Sequence, residues 1–224
     1  MIDGPVPGDL LYQNLRELDF LNRNFGGHSA SIDGLRDMIT AKNRTYNIID
    51  FGCGGGDTMI RIANWARNSN FRVKITGIDK NPQVIDYVRH KCKNYSEISA
   101  IAMDFREFIK GEPVADIMHC SLFLHHLPDE DIVKLLQYFN KAAETGFVVN
   151  DLIRSRVAYY SAKFFTALAN ASVISRNDGP LSVLRSFNIN ELRMFMKRAS
   201  IRNYHLRLRW AFRFLITSHA ESSN

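Results

Sequence analysis

Apolar residues along this chain change their period several times, and those changes predict its elements. From Tyr46 onward, short β-branched runs alternate with longer stretches whose apolar positions recur every three or four residues. That alternation is the signature of a parallel sheet with crossover helices. Tyr46–Phe51 reads as a buried strand, Thr58–Arg67 as a helix and Phe71–Ile78 as a second strand. Pro82 sits in the first turn of a helix through Lys93, where its missing N–H costs nothing. Ile98–Met103 and Ala115–Leu122 read as the third and fourth strands. After Pro128, Asp129-Glu130-Asp131 puts negative charge at a helix start, complementing the dipole, and Ile132, Leu135, Leu136 and Phe139 continue that helix. Gly146–Leu152 is a fifth strand.

The alternation then breaks. Val157–Ala169 is an apolar, aromatic helix with no strand after it, and the polar turn Ser175-Arg176-Asn177-Asp178-Gly179-Pro180 is expected to end this excursion. Asn190–Ala199 is helical again, and Ile201–Trp210 with Phe212–Ser218 suits a closing antiparallel hairpin. Upstream of the sheet, Leu10–Phe25 and Ile32–Ile39 read as amphipathic helices. The expectation is one α/β domain: an N-terminal helical cap over 1–44, a core over 45–152, an insertion over 153–187, and a last helix and hairpin over 188–224.

The bulk numbers narrow the class. A chain of 224 residues with 46% hydrophobic content suits a globular domain. No apolar run is long enough to span a bilayer, and Met1-Ile2-Asp3-Gly4-Pro5 has neither the basic start nor the apolar core of a signal peptide. Cys53, Cys92 and Cys120 lie far apart without metal-ligand spacing, so a cytoplasmic protein with reduced thiols and no metal is expected. Charge is uneven: residues 152–213 hold twelve Lys/Arg against Asp178 and Glu191, whereas the first 151 hold seventeen against twenty acids. Such a change of sign marks either a solvated basic face or an acidic partner, membrane surface or nucleic acid.

The chemistry concentrates after the first strand, in Asp50-Phe51-Gly52-Cys53-Gly54-Gly55-Gly56. A glycine-rich turn at that place brings backbone close to a ligand. The dinucleotide fingerprint G-x-G-x-x-G fails here, because counting from Gly52 and Gly54 puts Asp57 in the third place. A carboxylate at that helix start would repel a pyrophosphate, and Asp50 is equally awkward for one. Both acids suit a ligand that carries an ammonium and a sulfonium. At the end of the second strand, Asp79, followed by Lys80, stands where a carboxylate accepts both ribose hydroxyls. Asp104 ends the third strand, where it could accept an adenine amino group while Phe105 covers the ring.

These motifs carry a resemblance. Ile48-Ile49-Asp50-Phe51-Gly52-Cys53-Gly54-Gly55-Gly56-Asp57 resembles the first motif of class I S-adenosylmethionine-dependent methyltransferases, (Asp/Glu)-x-Gly-x-Gly-x-Gly. Gly77-Ile78-Asp79-Lys80-Asn81-Pro82 resembles their second motif and Ala102-Met103-Asp104-Phe105 their third. Ala115-Asp116-Ile117 through Leu124-His125-His126-Leu127-Pro128-Asp129 is similar to the fourth-strand segment of the UbiE-like group, which includes quinone, polyketide and sugar methyltransferases. Asn150-Asp151-Leu152-Ile153-Arg154-Ser155 and Asp178-Gly179-Pro180-Leu181-Ser182 are similar to bacterial methyltransferases that accompany type III polyketide synthases. The resemblance implies a Rossmann-like, seven-stranded, mostly parallel sheet with a reversed last hairpin, and S-adenosyl-L-methionine as cofactor. The residues it assigns to that cofactor are Asp50, Gly52, Cys53, Gly54, Gly56, Asp79, Lys80, Asp104, Phe105 and Ser121.

Methyl transfer needs in-line positioning, plus a base when the nucleophile carries a proton. His125 is the candidate base, with Asp151 at the end of the fifth strand to orient it; alternatively one histidine of the pair caps the following turn, His126 being the more structural of the two. Tyr12, His126, Arg154, Tyr159 and Tyr160 are candidate acceptor-binding residues, with Phe164, Phe165 and Trp210 as further aromatic walls and Arg176 and Arg185 as further cations. An aromatic, polyketide or quinone-like acceptor is expected; any single one of these side chains could equally be core or surface. Two other readings stay open. Nucleic-acid methylation would suit the basic C-terminal part, but Cys120-Ser121-Leu122-Phe123 replaces the Asn/Asp-Pro-Pro-aromatic motif used on exocyclic amines. A non-catalytic cofactor-binding partner protein would bind the cofactor without turnover.

Overall fold

A computed structural model describes residues 8–168 and 173–220, apart from the side chains of residue 162 and residues 164–178. Its centre is a seven-stranded sheet built from β1 (Thr45–Phe51), β2 (Arg72–Asp79), β3 (Ile98–Ala102), β4 (Ala115–Ser121), β5 (Ala143–Leu152), β6 (His205–Arg209) and β7 (Arg213–His219). The spatial order is β3-β2-β1-β4-β5-β7-β6. The first five strands run parallel, while β7 runs antiparallel to β5 and to β6. This is the Rossmann-like sheet with a reversed last hairpin. Strand order reverses at β1, which lies between β2 and β4, so a crevice opens beyond the carboxyl ends of these strands.

Two helical layers cover the faces. On one side lie α1 (Gly8–Asn24), α2 (Gly27–Arg36), α3 (Asp57–Asn68) and α4 (Pro82–Lys91). They bury Leu35, Ile39, Met59, Ile62 and Ile85 against Ile48, Ile75, Ile117, Val148 and Leu215. On the other lie α5 (Phe105–Lys110), α6 (Asp129–Ala142) and a helix over Ile189–Arg198, closing a core of Phe51, Met118, Phe139, Phe147 and Phe214. Alternate residues of each strand feed the two cores. Ile48 and Asp50 therefore face α2, whereas Ile49 and Phe51 face α6.

Glycine lets α2 lie flush on the sheet. A Cβ on Gly34 would stand 2.6 Å from Val148 Cγ1 and 3.2 Å from Leu215 Cδ1 and Thr217 Cγ2. Gly34→Ala is expected to lower stability by about 1–3 kcal/mol, the usual cost of overpacking, read as a lower urea midpoint with an unchanged m-value.

The insertion departs from expectation. Helices α7 (Arg156–Leu168) and α8 (Val173–Arg185) pack on each other, and α8 runs straight through the predicted turn at 175–180 with Pro180 inside it. The residue types there favour a turn, but a helical partner alongside outweighs local propensity; the helix over Ile189–Arg198 follows as α9. Strand β5 begins three residues before the predicted Gly146, and β6 is shorter than predicted, starting at His205. The second cap helix starts at Gly27, five residues earlier than predicted.

Candidate active site

The glycine loop is shaped by backbone demands. Gly52 (φ +68°), Gly54 (φ +49°) and Gly56 (φ +75°) all occupy the left-handed region that side chains disfavour. A Cβ on Gly52 would lie 2.2 Å from Phe123 Cδ2, whereas one on Gly54 would meet nothing within 4 Å. The first glycine is thus required by Phe123, and Gly54 borders open space where a ligand can approach backbone. Gly52 N and Cys53 N both donate to Ile78 O, at 2.8 and 3.0 Å, tying the loop to β2.

Asp79 anchors the other side of the loop. Its Oδ2 accepts from Gly54 N at 3.3 Å and its Oδ1 from Asn81 N at 2.9 Å. Burial pushes its carboxyl up from the ordinary range, and these two N–H groups only partly offset that. Asp79, Gly52, Lys80, Asp104 and Phe105 line one cavity of about 190 Å³, together with Met103, Arg106, Phe123, His126 and Leu127. Five predicted cofactor residues therefore share one pocket. Asp104 also has other duties: it caps α5 through Arg106 N at 2.8 Å and pairs with the Arg106 guanidinium, which bridges to Asp131.

The other residues expected at the cofactor take different places. Cys53 is buried, and burial followed by the charges of Asp50 and Asp79 pushes its thiol far up. Asp50 is 2% exposed and bonded to His119 Nδ1 at 2.6 Å. Ser121 Oγ accepts from Asn150 Nδ2 at 3.2 Å. Asp57 changes the electrostatic argument made from the sequence. Its carboxylate pairs with Lys91 of α4, so its charge is largely answered within the protein, while burial raises its carboxyl to about 6.

Beyond β4 the chain turns sharply at Leu122, whose φ is +54°. The bend swings Phe123 over Gly52 and edge-on to Phe105, with ring centroids 5.7 Å apart. A 3₁₀ turn, Leu124–His126, follows. There His125 Nδ1 lies 2.7 Å from Asp151 Oδ1, and His125 N donates to Asp151 Oδ2 at 3.3 Å. Burial alone would raise the Asp151 carboxyl, but the charge and ring hydrogen bond of His125, with the Leu152 and His125 N–H groups, hold it below its usual range. The carboxylate therefore keeps the ring proton on Nδ1. The opposite nitrogen, Nε2, is buried and has no partner among the described residues. His126 lies tilted beside it at 4.0 Å between centroids, and burial followed by His125 pushes its imidazole down to about 3.

The predicted acceptor residues are more scattered. His126 does line the cavity. Tyr12 packs on Tyr87 of α4, with centroids 5.0 Å apart. Arg154 pairs with Glu191 of α9. Tyr159 and Tyr160 form an edge-on pair on α7, and Tyr160 is 66% exposed. Trp210 is exposed and stacks on Phe25. The side chains of Phe164, Phe165 and Arg176 lie outside the described residues. Arg185 acts electrostatically on His126.

Several site residues escaped sequence reasoning. Phe123, Met103 and Arg106 line the cavity, and His119, Asn150 and Arg213 are buried beneath the cap. The polar residues inside strands, His119 and Asn150, were a usable signal: a polar residue at an inward position demands a partner.

Comparison with known proteins bears on the fold that carries this geometry. Residues 48–146 match the model described as a methyltransferase domain. No curated protein matches the sequence. Among solved structures, human N-acetylserotonin methyltransferase in complex with S-adenosylmethionine is similar at 15% identity and TM-score 0.66, over 96% of this chain and 56% of its own. An O-methyltransferase family 2 protein from Planctomyces limnophilus, in complex with apigenin, shows 16% identity and TM-score 0.67 over 98% of this chain and 63% of its own. The plantazolicin methyltransferase BpumL, in complex with S-adenosylhomocysteine, shows 16% identity and TM-score 0.68 over 94% and 89%. The chain spans little more than half the length of the first of these and under two-thirds of the second. Residues 48–146 thus match a methyltransferase domain, and the chain has the fold of solved S-adenosylmethionine-dependent methyltransferases.

Proposed function

We propose that this enzyme transfers a methyl group from S-adenosylmethionine to a protonated oxygen or nitrogen of a small aromatic acceptor, with His125 as general base and Asp151 orienting it. The observation that carries the reading is the buried His125–Asp151 pair, whose unpartnered Nε2 stands one residue from the cavity-lining His126. A neutral imidazole with its proton on Nδ1 offers Nε2 as a lone pair, the state a base requires.

The residues present fit the cofactor. The open backbone at Gly54 admits a ligand, Asp79 offers carboxylate oxygens at the strand end, and Phe105, Phe123 and Met103 provide apolar cover for a purine. When bound, the cofactor supplies an electrophilic methyl on its sulfonium. The protein's own part is to align the acceptor, exclude water and take up its proton at His125 Nε2. The structural relatives with N-acetylserotonin in their name or apigenin in their complex support an aromatic acceptor, as does the resemblance to quinone and polyketide methyltransferases. A small molecule is favoured over a nucleic acid because the exit of β4 reads Cys120-Ser121-Leu122-Phe123.

Calorimetry tests the first half of the proposal. The protein is expected to bind S-adenosylmethionine and S-adenosylhomocysteine, with no comparable affinity for NAD or ATP; tighter binding of NAD would sink the assignment. Release of S-adenosylhomocysteine over a panel of phenols and quinols, against duplex DNA and transfer RNA, tests the second. Turnover on nucleic acid alone would move the enzyme to that class, and tight cofactor binding without turnover on any acceptor would favour a binding module.

A further inference from the structure

The face of the sheet turned toward α2 carries a row of buried polar side chains that the proposed chemistry leaves unused. Asp50 on β1 and His119 on β4 are register partners, and Asn150 on β5 pairs with Ser121 of β4. His119, Asn150 and Ser31 of α2 are each 0% exposed. Their hydrogen bonds form one chain. Asn150 Nδ2 donates to Gly27 O at 2.7 Å and approaches Ser31 Oγ at 3.3 Å; Ser31 Oγ lies 2.9 Å from His119 Nε2; His119 Nδ1 lies 2.6 Å from Asp50 Oδ1.

Proton counting gives this chain a direction. Asn150 Nδ2 has only hydrogens to give, so Ser31 Oγ accepts from it and turns its own hydrogen to His119 Nε2. A neutral imidazole that accepts at Nε2 carries its proton on Nδ1, where it donates to the Asp50 carboxylate. Both His119 nitrogens are satisfied in that arrangement, while the two Asn150 Nδ2 hydrogens are shared among Gly27 O, Ser31 Oγ and Ser121 Oγ. Asp50 Oδ2 makes no hydrogen bond among the described residues, and Asp50 directly precedes the glycine loop. Its one hydrogen-bond partner among the described residues is His119, and neither Asp50 nor His119, Ser31 or Asn150 is among the residues that line the cavity.

We infer that Ser31 and His119 are positioning residues for the cofactor. They fix the orientation of Asp50 as acceptor for the cofactor's ammonium, and they link the seating of the cap helix α2 to cofactor loading. This rests on the reading of Asp50 as the ammonium partner. Removing Ser31 Oγ leaves His119 Nε2 buried without a donor, so the ring loses the bond that holds its proton on the Asp50 side. The cost then appears at a ligand that Ser31 does not touch. Linkage makes the effect reciprocal: cofactor binding should tighten α2 through the same bonds.

Calorimetry with S-adenosylhomocysteine on the full chain, combined with amide hydrogen exchange, tests this. Asp50→Asn is expected to weaken binding roughly 10–100-fold, the scale of a hydrogen bond to a charged group. Ser31→Ala should weaken it about 5–10-fold, the scale of a neutral bond. His119→Asn, which keeps a donor near the Nδ1 position and deletes the arm to α2, should match Ser31→Ala. The Ser31→Ala/Asp50→Asn double variant should bind within about twofold of Asp50→Asn alone, because Ser31 acts only through Asp50. Ligand should slow exchange of the α2 amides in the natural protein and not in Ser31→Ala. If Ser31→Ala merely melts earlier while binding ligand and protecting α2 as before, the relay is overturned and the bonds are structural. If Asp50→Asn itself binds normally, the ammonium assignment fails first and the relay falls with it.

Discussion

Replacing His125 by alanine is expected to lower turnover about 10²–10⁴-fold, the usual worth of a positioned general base, with cofactor affinity nearly unchanged. The geometry supports both halves of this expectation. Nδ1 is committed to Asp151 at 2.7 Å, and Nε2 is the ring atom left without a partner. His125 is absent from the lining of the pocket that holds Asp79, whereas its neighbour His126 belongs to it. Asp151→Asn should change turnover in the same direction with a smaller loss, since the ring stays in place but the developing imidazolium loses its counter-charge. Initial rates at saturating acceptor, with a single-turnover measurement to isolate chemistry, decide the matter. A loss under about threefold would mean that the acceptor is already ionised or is an activated ring carbon, leaving His125 as a wall of the site.

Asp79→Ala should weaken S-adenosylhomocysteine binding by roughly 2–4 kcal/mol, the scale of two charge-assisted hydrogen bonds. Calorimetry reads this directly. The carboxylate stands in the cavity while both its oxygens also brace backbone, from Gly54 and from Asn81. Asp79→Asn separates these roles, since the amide keeps one acceptor oxygen and should bind with intermediate affinity. The pH dependence has a definite sign. Burial raises the Asp79 carboxyl in the folded protein, so its ionisation opposes folding. That penalty is absent below the unfolded-state value and grows as pH rises through the raised one. Ligand affinity runs the other way, declining as pH falls through the same raised range and the acceptor becomes protonated. Asp79→Asn should therefore keep its intermediate affinity with no such decline as pH falls, which calorimetry across that range reads. Normal binding by Asp79→Ala would place the ribose elsewhere.

Other residues show how far composition and spacing reach. Arg154 and Glu191 are 37 positions apart, and the sequence left Arg154 open as a cation for an acceptor or a surface charge. In the fold it is drawn to α9, where Glu191 also closes a capping box with Asn188. Asp57 was read as a charge facing the ligand loop, but Lys91, one helix away, answers it. Both pairings have the same origin: a charged side chain on a helix start or loop pairs with whatever cation or anion the packing brings within reach, and that partner lies far along the chain.

The sequence by itself determined the order of elements, the parallel sheet and the place of the glycine loop, because each follows from local rules. Period two and period 3.6 are read within about ten residues, and a cluster of glycines directly after a strand marks a turn that needs left-handed backbone, as at Gly52 and Gly56. Asp79 and Asp104 were legible as candidates for the same reason: a strand end at a sheet's carboxyl edge is a ligand position in this class of fold, and both line the cavity there. Tertiary structure decided the rest. The pairing of His125 with Asp151 spans 26 residues and depends on β4 lying beside β5 and on the left-handed bend at Leu122. The link from Ser31 to His119 spans 88 residues and forms only when α2 settles on the sheet, which Gly34 permits. Helix α8 replaced the predicted turn because α7 packs along it. In each case the local sequence left more than one conformation or partner open, and burial removed all but one, since a polar or apolar group withdrawn from water must be satisfied by whichever element packs against it.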